Sequence, residues 1–104
     1  MTPPPPKNKE CAAAKRYIDE NYNEAISLDK LAEIAHVNKY YLSHSFKKEY
    51  GSSPIDYMLK RRITEAKALL SSTDYSLIQI AEQLGFGSPA YFSKCFRKVE
   101  GISP

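Results

Sequence analysis

Apolar residues recur along this chain at spacings of three and four, the period of helices buried on one side. Leu28, Leu31, Ala32 and Ala35 form one such stripe. It opens at Ser27, whose hydroxyl can cap the first turn, and closes near His36. A second stripe runs through Leu77, Ile80, Ala81 and Leu84, capped by Ser76 and stopped by Gly85, the residue best suited to a left-handed helix end. Two further helices start at Asn38 and at Ser88-Pro89. Their inner faces carry Leu42, Ser45, Phe46 and Glu49 in one case, and Phe92, Cys95, Phe96 and Val99 in the other. Gly51 and Gly101 end them. Between these pairs, Ser53-Pro54 begins a longer helix to about residue 71, with Ile55, Leu59, Ile63, Ala66, Leu69 and Leu70 on its apolar side. A leading helix over Lys9 to Tyr22 turns Ala14, Tyr17, Ile18 and Tyr22 inward. The predicted fold is all-α.

The stripes belong to a repeat. SLDKLAEIAHVNKYYLSHSFKKEYGSSP, from Ser27 to Pro54, lies over SLIQIAEQLGFGSPAYFSKCFRKVEGISP, from Ser76 to Pro104, with one inserted residue. Ser27, Leu28, Ala32 and Glu33 match Ser76, Leu77, Ala81 and Glu82. Beyond the insertion, Tyr41, Ser43, Phe46, Lys48, Gly51, Ser53 and Pro54 match Tyr91, Ser93, Phe96, Lys98, Gly101, Ser103 and Pro104. Each copy is two short helices around a tight turn. The organisation expected is a flexible proline-rich linker or chain end over 1–8, a helix-turn-helix subdomain over 9–53, a linker helix over 54–72 and a second helix-turn-helix subdomain over 73–104. At 1.5 Å per residue the linker is a rod of roughly 27 Å, able to hold two helices near the ~34 Å repeat of successive major grooves. In the first turn His36 stands where Gly85 stands in the second, and histidine tolerates positive φ better than most side chains.

Charge sharpens this picture through its placement, since the net value over 104 residues is only +3. Ile18 to Ala35 holds five acids against one base, Lys30. Lys39 to Lys48 holds three lysines and no acid, and Ser88 to Lys98 holds Lys94, Arg97 and Lys98, again with no acid. These cations fall at equivalent places in the two copies, on the outward sides of the second helices. Such a helix suits the major groove of double-stranded DNA, with compact polar groups for base edges and flanking cations for phosphates. The outward stripes are Tyr40, Ser43, His44 and Lys47 in one helix and Ala90, Ser93, Lys94 and Arg97 in the other. Lys39, Lys47, Lys48 and Lys98 are placed to meet the DNA backbone. A protein-interaction module, its surfaces meeting RNA polymerase or another regulator, is the alternative reading.

Other chemistries find little support. Cys11 and Cys95 have no partner at ligand spacing, and neither His36 nor His44 has a second ligand three or four residues on, so no metal or cofactor is expected. Cys95 reads as a structural thiol. Asp56, Glu65 and Arg62 are assigned to helix-surface or intersubdomain ion pairs. Neither a catalytic constellation nor a phosphate-cradling loop is present, so the chain does not read as an enzyme. No apolar run matches a membrane span or secretion signal, which points to the cytoplasm.

Taken together, these motifs resemble the C-terminal DNA-binding domain of AraC/XylS-type transcriptional regulators, over about Lys9 to Pro104 and most closely in SLIQIAEQLGFGSPAYFSKCFRKVEGISP. The resemblance implies a seven-helix, two-subdomain fold that binds promoter DNA and in many members follows a ligand-binding or dimerising N-terminal domain. It implies base-reading positions at Tyr40, Ser43, His44, Pro89, Ala90, Ser93 and Lys94, and sets Lys47 and Arg97 against the backbone. The family continues past GISP into a short final helix, so a fragment is expected, monomeric by itself and dimeric through a missing N-terminal domain in the full-length protein.

Overall fold

The computed structural model describes residues 9–104, which form six α-helices and no strand. They are α1 (Lys9–Asn21), α2 (Leu28–Ala35), α3 (Lys39–Tyr50), α4 (Pro54–Ser72), α5 (Leu77–Gln83) and α6 (Pro89–Glu100). The proline-rich start lies outside the described residues. The resemblance implied seven helices; after α6 the described chain runs non-helically through Gly101 to Pro104.

Local chemistry sets the helix boundaries. Ser27, Asn38, Ser53, Ser76 and Ser88 each accept a hydrogen bond from an amide in the first turn of the helix that follows, satisfying donors that would otherwise be orphaned. Ser76 and Gln79 form a reciprocal capping box. At the other ends, Gly51 and Gly101 adopt left-handed conformations with φ 84° and 81°. His36 takes the same region with φ 58°, as the repeat implied.

Two cores result, and α4 serves both. Cys11, Ala14, Ile18, Leu31, Leu42, Phe46 and Met58 are among the buried residues of the first; Leu59, Ile63, Ala66, Ile80, Phe86, Phe92 and Phe96 are among those of the second. The neighbours Met58 and Leu59 therefore point into different cores. Tyr22 and Ile55 pack against both. The linker is a shared wall of two subdomains, which a rod between them would not be. Cys11, Met58 and Phe86 were not assigned to a core from the sequence, yet all three are buried. Leu77 departs in the opposite sense: it was placed on the buried stripe of α5, but it is 39% exposed and Ile78 beside it 57%. The helix starts there, and its stripe becomes fully buried only from Ile80 on.

Arg62 corrects the expectation of ion pairing. Only 4% of it is exposed, and its guanidinium donates to three backbone carbonyls, those of Tyr22, Glu24 and Gly85. It sits on the same side of α4 as Leu59, Ile63 and Ala66, where an ion pair would need a buried acid. The two acids of the linker do pair: Asp56 lies 3.9 Å from Lys98 and Glu65 3.4 Å from Arg61. A further polar cluster joins α1 to α4. Tyr57 Oη donates to Asp19 Oδ1 at 2.6 Å, Arg61 Nε to the same oxygen at 3.2 Å, and Lys15 Nζ to Oδ2 at 3.1 Å. No helix among the described residues is long and apolar enough to cross a membrane.

Candidate nucleic-acid interface

The surfaces of α3 and α6 are set by what lies beneath them. Leu42 and Phe46 are fully buried on the inner side of α3, as is Phe92 on α6, with Cys95 and Phe96 nearly so. Phe46 meets Tyr50 and Tyr57 edge-on at centroid distances of 4.7 and 5.8 Å; Phe92 meets Phe86 at 5.1 Å and Phe96 at 6.0 Å. Aromatic anchors one turn apart fix the rotation of each helix about its axis, and so decide which residues reach solvent.

On α3 those are Tyr40 and Tyr41, 74% and 50% exposed, with His44, Lys47 and Lys48; Ser43 lies half-buried between them. On α6, Ala90, Lys94, Arg97 and Lys98 are exposed, while Pro89 and Ser93 are half-buried. Ala90, Ser93, Lys94, Arg97 and Lys98 line one shallow cleft. Pro89 stands apart from that cleft, at the first position of the helix, where its ring fixes φ and no amide is lost. The outward position expected for Tyr40 is observed.

The termini add to the electrostatics. Neither helix has an acid in its first turn, and each carries two cations in its last, Lys47 and Lys48 or Arg97 and Lys98. The cations favour the negative end of the helix dipole, and the acid-free first turns leave the positive ends unopposed. Three of the expected backbone-contacting cations already have protein partners. Lys39 reaches Asp29 at 3.4 Å and sits 5.5 Å from the Tyr40 ring centre, bracing the turn between α2 and α3. Lys98 approaches Asp56, and Arg97 Nη2 donates to Ser103 Oγ at 3.0 Å. These are exposed contacts of small energetic weight, open to exchange with a phosphate.

Sequence reasoning missed the part played by Arg62. The signal was present: position 62 lies three residues after Leu59 and four before Ala66, inside the apolar stripe, where an arginine must find buried acceptors.

Two helix-turn-helix units sharing one central helix define the class of the molecule. The helix-turn-helix domain family model matches residues 31–104. The chain is 40% identical over 101 residues to the uncharacterized HTH-type transcriptional regulator YisR of Bacillus subtilis, covering 97% of this chain and 35% of that protein. It superposes on the DNA-binding domain of the global transcriptional factor AdpA, solved with a target DNA, with a TM-score of 0.84 and 28% identity, over 91% of this chain and 86% of that one. A transcriptional regulator with an AraC-type DNA-binding domain from Chromobacterium violaceum gives a TM-score of 0.81 at 31% identity, over 92% and 86% of the two chains. The chain belongs to the AraC-type family of helix-turn-helix DNA-binding domains. It spans about a third of the length of the curated relative it matches.

Proposed function

We propose that this chain is the sequence-specific, double-stranded DNA-binding part of a bacterial transcription regulator acting at promoters in the cytoplasm, with α3 and α6 entering successive major grooves. The observation that carries the reading is the repetition of one construction: a capped helix, two aromatic or aliphatic anchors on its inner side, short polar groups outside and two cations in the last turn. The longest dimension of the molecule, 42 Å, accommodates the ~34 Å between major-groove faces along one side of a duplex.

In this reading Tyr40, Ser43 and His44 from α3, with Pro89, Ala90, Ser93 and Lys94 from α6, face base edges. Lys94 can donate to guanine O6 and N7, the serine hydroxyls and His44 to acceptors in the groove, and Ala90 can meet a thymine methyl. Lys39, Lys47, Lys48, Arg97 and Lys98 contact phosphates, which position the protein without reading sequence. Opening the exposed pairs of Lys39 and Lys98 costs little, so a phosphate oxygen can replace the carboxylate in each.

Selection from a random duplex library followed by a gel-shift titration tests the reading. Enrichment of a bipartite site with half-sites about one helical turn apart, and binding that weakens steeply with salt, is the expected result. No retention of any duplex at low salt would instead favour a surface that meets RNA polymerase or another protein.

A further inference from the structure

We propose that Arg62 is a positioning residue that fixes the relative setting of the two DNA-reading units. It does so by tying the loop after α1 to the turn between α5 and α6. This inference rests on the DNA-binding reading above.

The guanidinium leaves α4 at the level where the two cores meet. Its three nitrogens are divided between the units. Nε donates to the Tyr22 carbonyl and Nη2 to the Glu24 carbonyl at 2.8 Å, both in the segment joining α1 to α2; Nη1 donates to the Gly85 carbonyl at 3.1 Å, in the turn of the second helix-turn-helix. The planar fork of arginine holds its donors at fixed angles, so acceptors on two separate segments are locked to one another through it. Phe86, the next residue in that turn, places its ring centre 5.4 Å from the guanidinium carbon. Burial lowers the pKa of the group, with Tyr91 and Cys95 opposing that shift, and no carboxylate within ion-pairing distance compensates it among the described residues. A charge kept at such a place is held by backbone carbonyls, whose positions are those of the two units.

A second observation locates the same junction. A Cβ on Gly85 would lie 2.4 Å from the Asn23 carbonyl oxygen and 3.3 Å from Arg62 Nη2. The two segments that Arg62 joins are therefore already in backbone contact. Around them, the partly buried Tyr22 and Ile55 pack against both cores. The arginine is the polar tie at that seam, and it acts on DNA through the setting of α6 relative to α3, with no contact to the duplex.

Arg62→Met and Arg62→Lys test this. Methionine keeps the apolar stem and removes every donor; lysine keeps the charge but cannot span both segments. Three readouts separate positioning from simple support. Each variant is expected to retain native helix content and to bind duplexes carrying a single half-site as the wild type does. On the bipartite duplex, affinity should fall about tenfold or more, because the second binding event loses effective concentration. The steep penalty for inserting or deleting one base pair between the half-sites should flatten. Independently of DNA, residual dipolar couplings of the wild type should fit one alignment tensor, whereas those of Arg62→Lys should require one tensor per unit.

A folded Arg62→Met with undiminished bipartite affinity and the wild-type spacing penalty would overturn the proposal. So would loss of order in α5 and α6 in both variants, which would make Arg62 part of the folding core of one unit. If the wild type binds no duplex, the DNA-binding reading fails, and the dipolar couplings still report whether Arg62 ties the units together.

Discussion

Gly85 and Asn23 are pressed backbone to backbone across the junction of the two units, so closely that a Cβ on the glycine would stand 2.4 Å from the asparagine carbonyl oxygen. His36, at the equivalent turn of the first unit, is exposed to solvent. The two turns share a left-handed backbone, with φ 83° and 58°, but only one of them also serves as a contact surface.

Substitution at these two turns should therefore have opposite signs. Gly85→Ala is expected to lose about 1–2 kcal/mol to its left-handed backbone alone, and more because Asn23 must move. His36→Gly relieves a similar backbone penalty against the greater freedom of glycine in the unfolded chain, leaving a gain of under about 1 kcal/mol. Urea denaturation of both variants measures the difference; effects of equal size and opposite sign would show that the close approach to Asn23 adds nothing.

The shared helix predicts cooperativity. Phe46→Ala and Phe92→Ala each remove a fully buried ring from one core, at about 3–5 kcal/mol. Because α4 supplies buried residues to both cores, either change should lower the stability of the whole domain in a single transition. Tyrosine fluorescence and far-ultraviolet circular dichroism should give coincident melting curves, and separated curves would show that the units unfold alone.

On the proposed interface, Lys47→Ala and Lys94→Ala should differ in kind. Loss of a phosphate contact weakens all duplexes alike and lowers the salt dependence. Loss of a base contact costs about 1–3 kcal/mol mainly on the preferred site. Fluorescence anisotropy at several salt concentrations, on the selected site and on a scrambled one, separates the two. Unchanged selectivity in Lys94→Ala would remove that residue from the reading set.

Acid should loosen the join between α1 and α4. Burial pushes the Asp19 carboxyl up, but the hydrogen bonds from Tyr57 and Lys15 and the nearby Arg61 outweigh it and hold the group below its ordinary range. A carboxyl whose folded pKa is below its unfolded one contributes stability that is present above the unfolded pKa and is lost as pH falls through the folded one. The hydrogen bond to Asp19 is the main cause that raises Lys15, so the contribution of the lysine is complete below the ordinary lysine range and is lost at still higher pH. Urea midpoints measured from neutral to acidic pH should fall less in Asp19→Asn than in the wild type.

Much of this molecule was legible in its sequence, for a local reason. Helix caps such as Ser27, Asn38 and Ser88, the stops at Gly51 and Gly101, and the left-handed place of His36 depend on a few neighbouring residues. The stripes that bury Phe46 and Phe92 follow from helical period. Because those anchors orient each helix, the outward positions of Tyr40, His44, Lys94 and Arg97 were readable from spacing as well.

Tertiary structure decided what period cannot express, namely which of two cores a residue enters and what meets a polar group at a junction. Met58 and Leu59 are adjacent in sequence yet serve different cores, and Leu77 satisfies the helical stripe but finds little to cover it. Arg62 was visible as a charge on an apolar face; its acceptors, the carbonyls of Tyr22, Glu24 and Gly85, are brought together only when the units close on α4. Periodicity is a property of one segment, whereas the setting of one unit against the other depends on contacts between residues some forty positions apart along the chain.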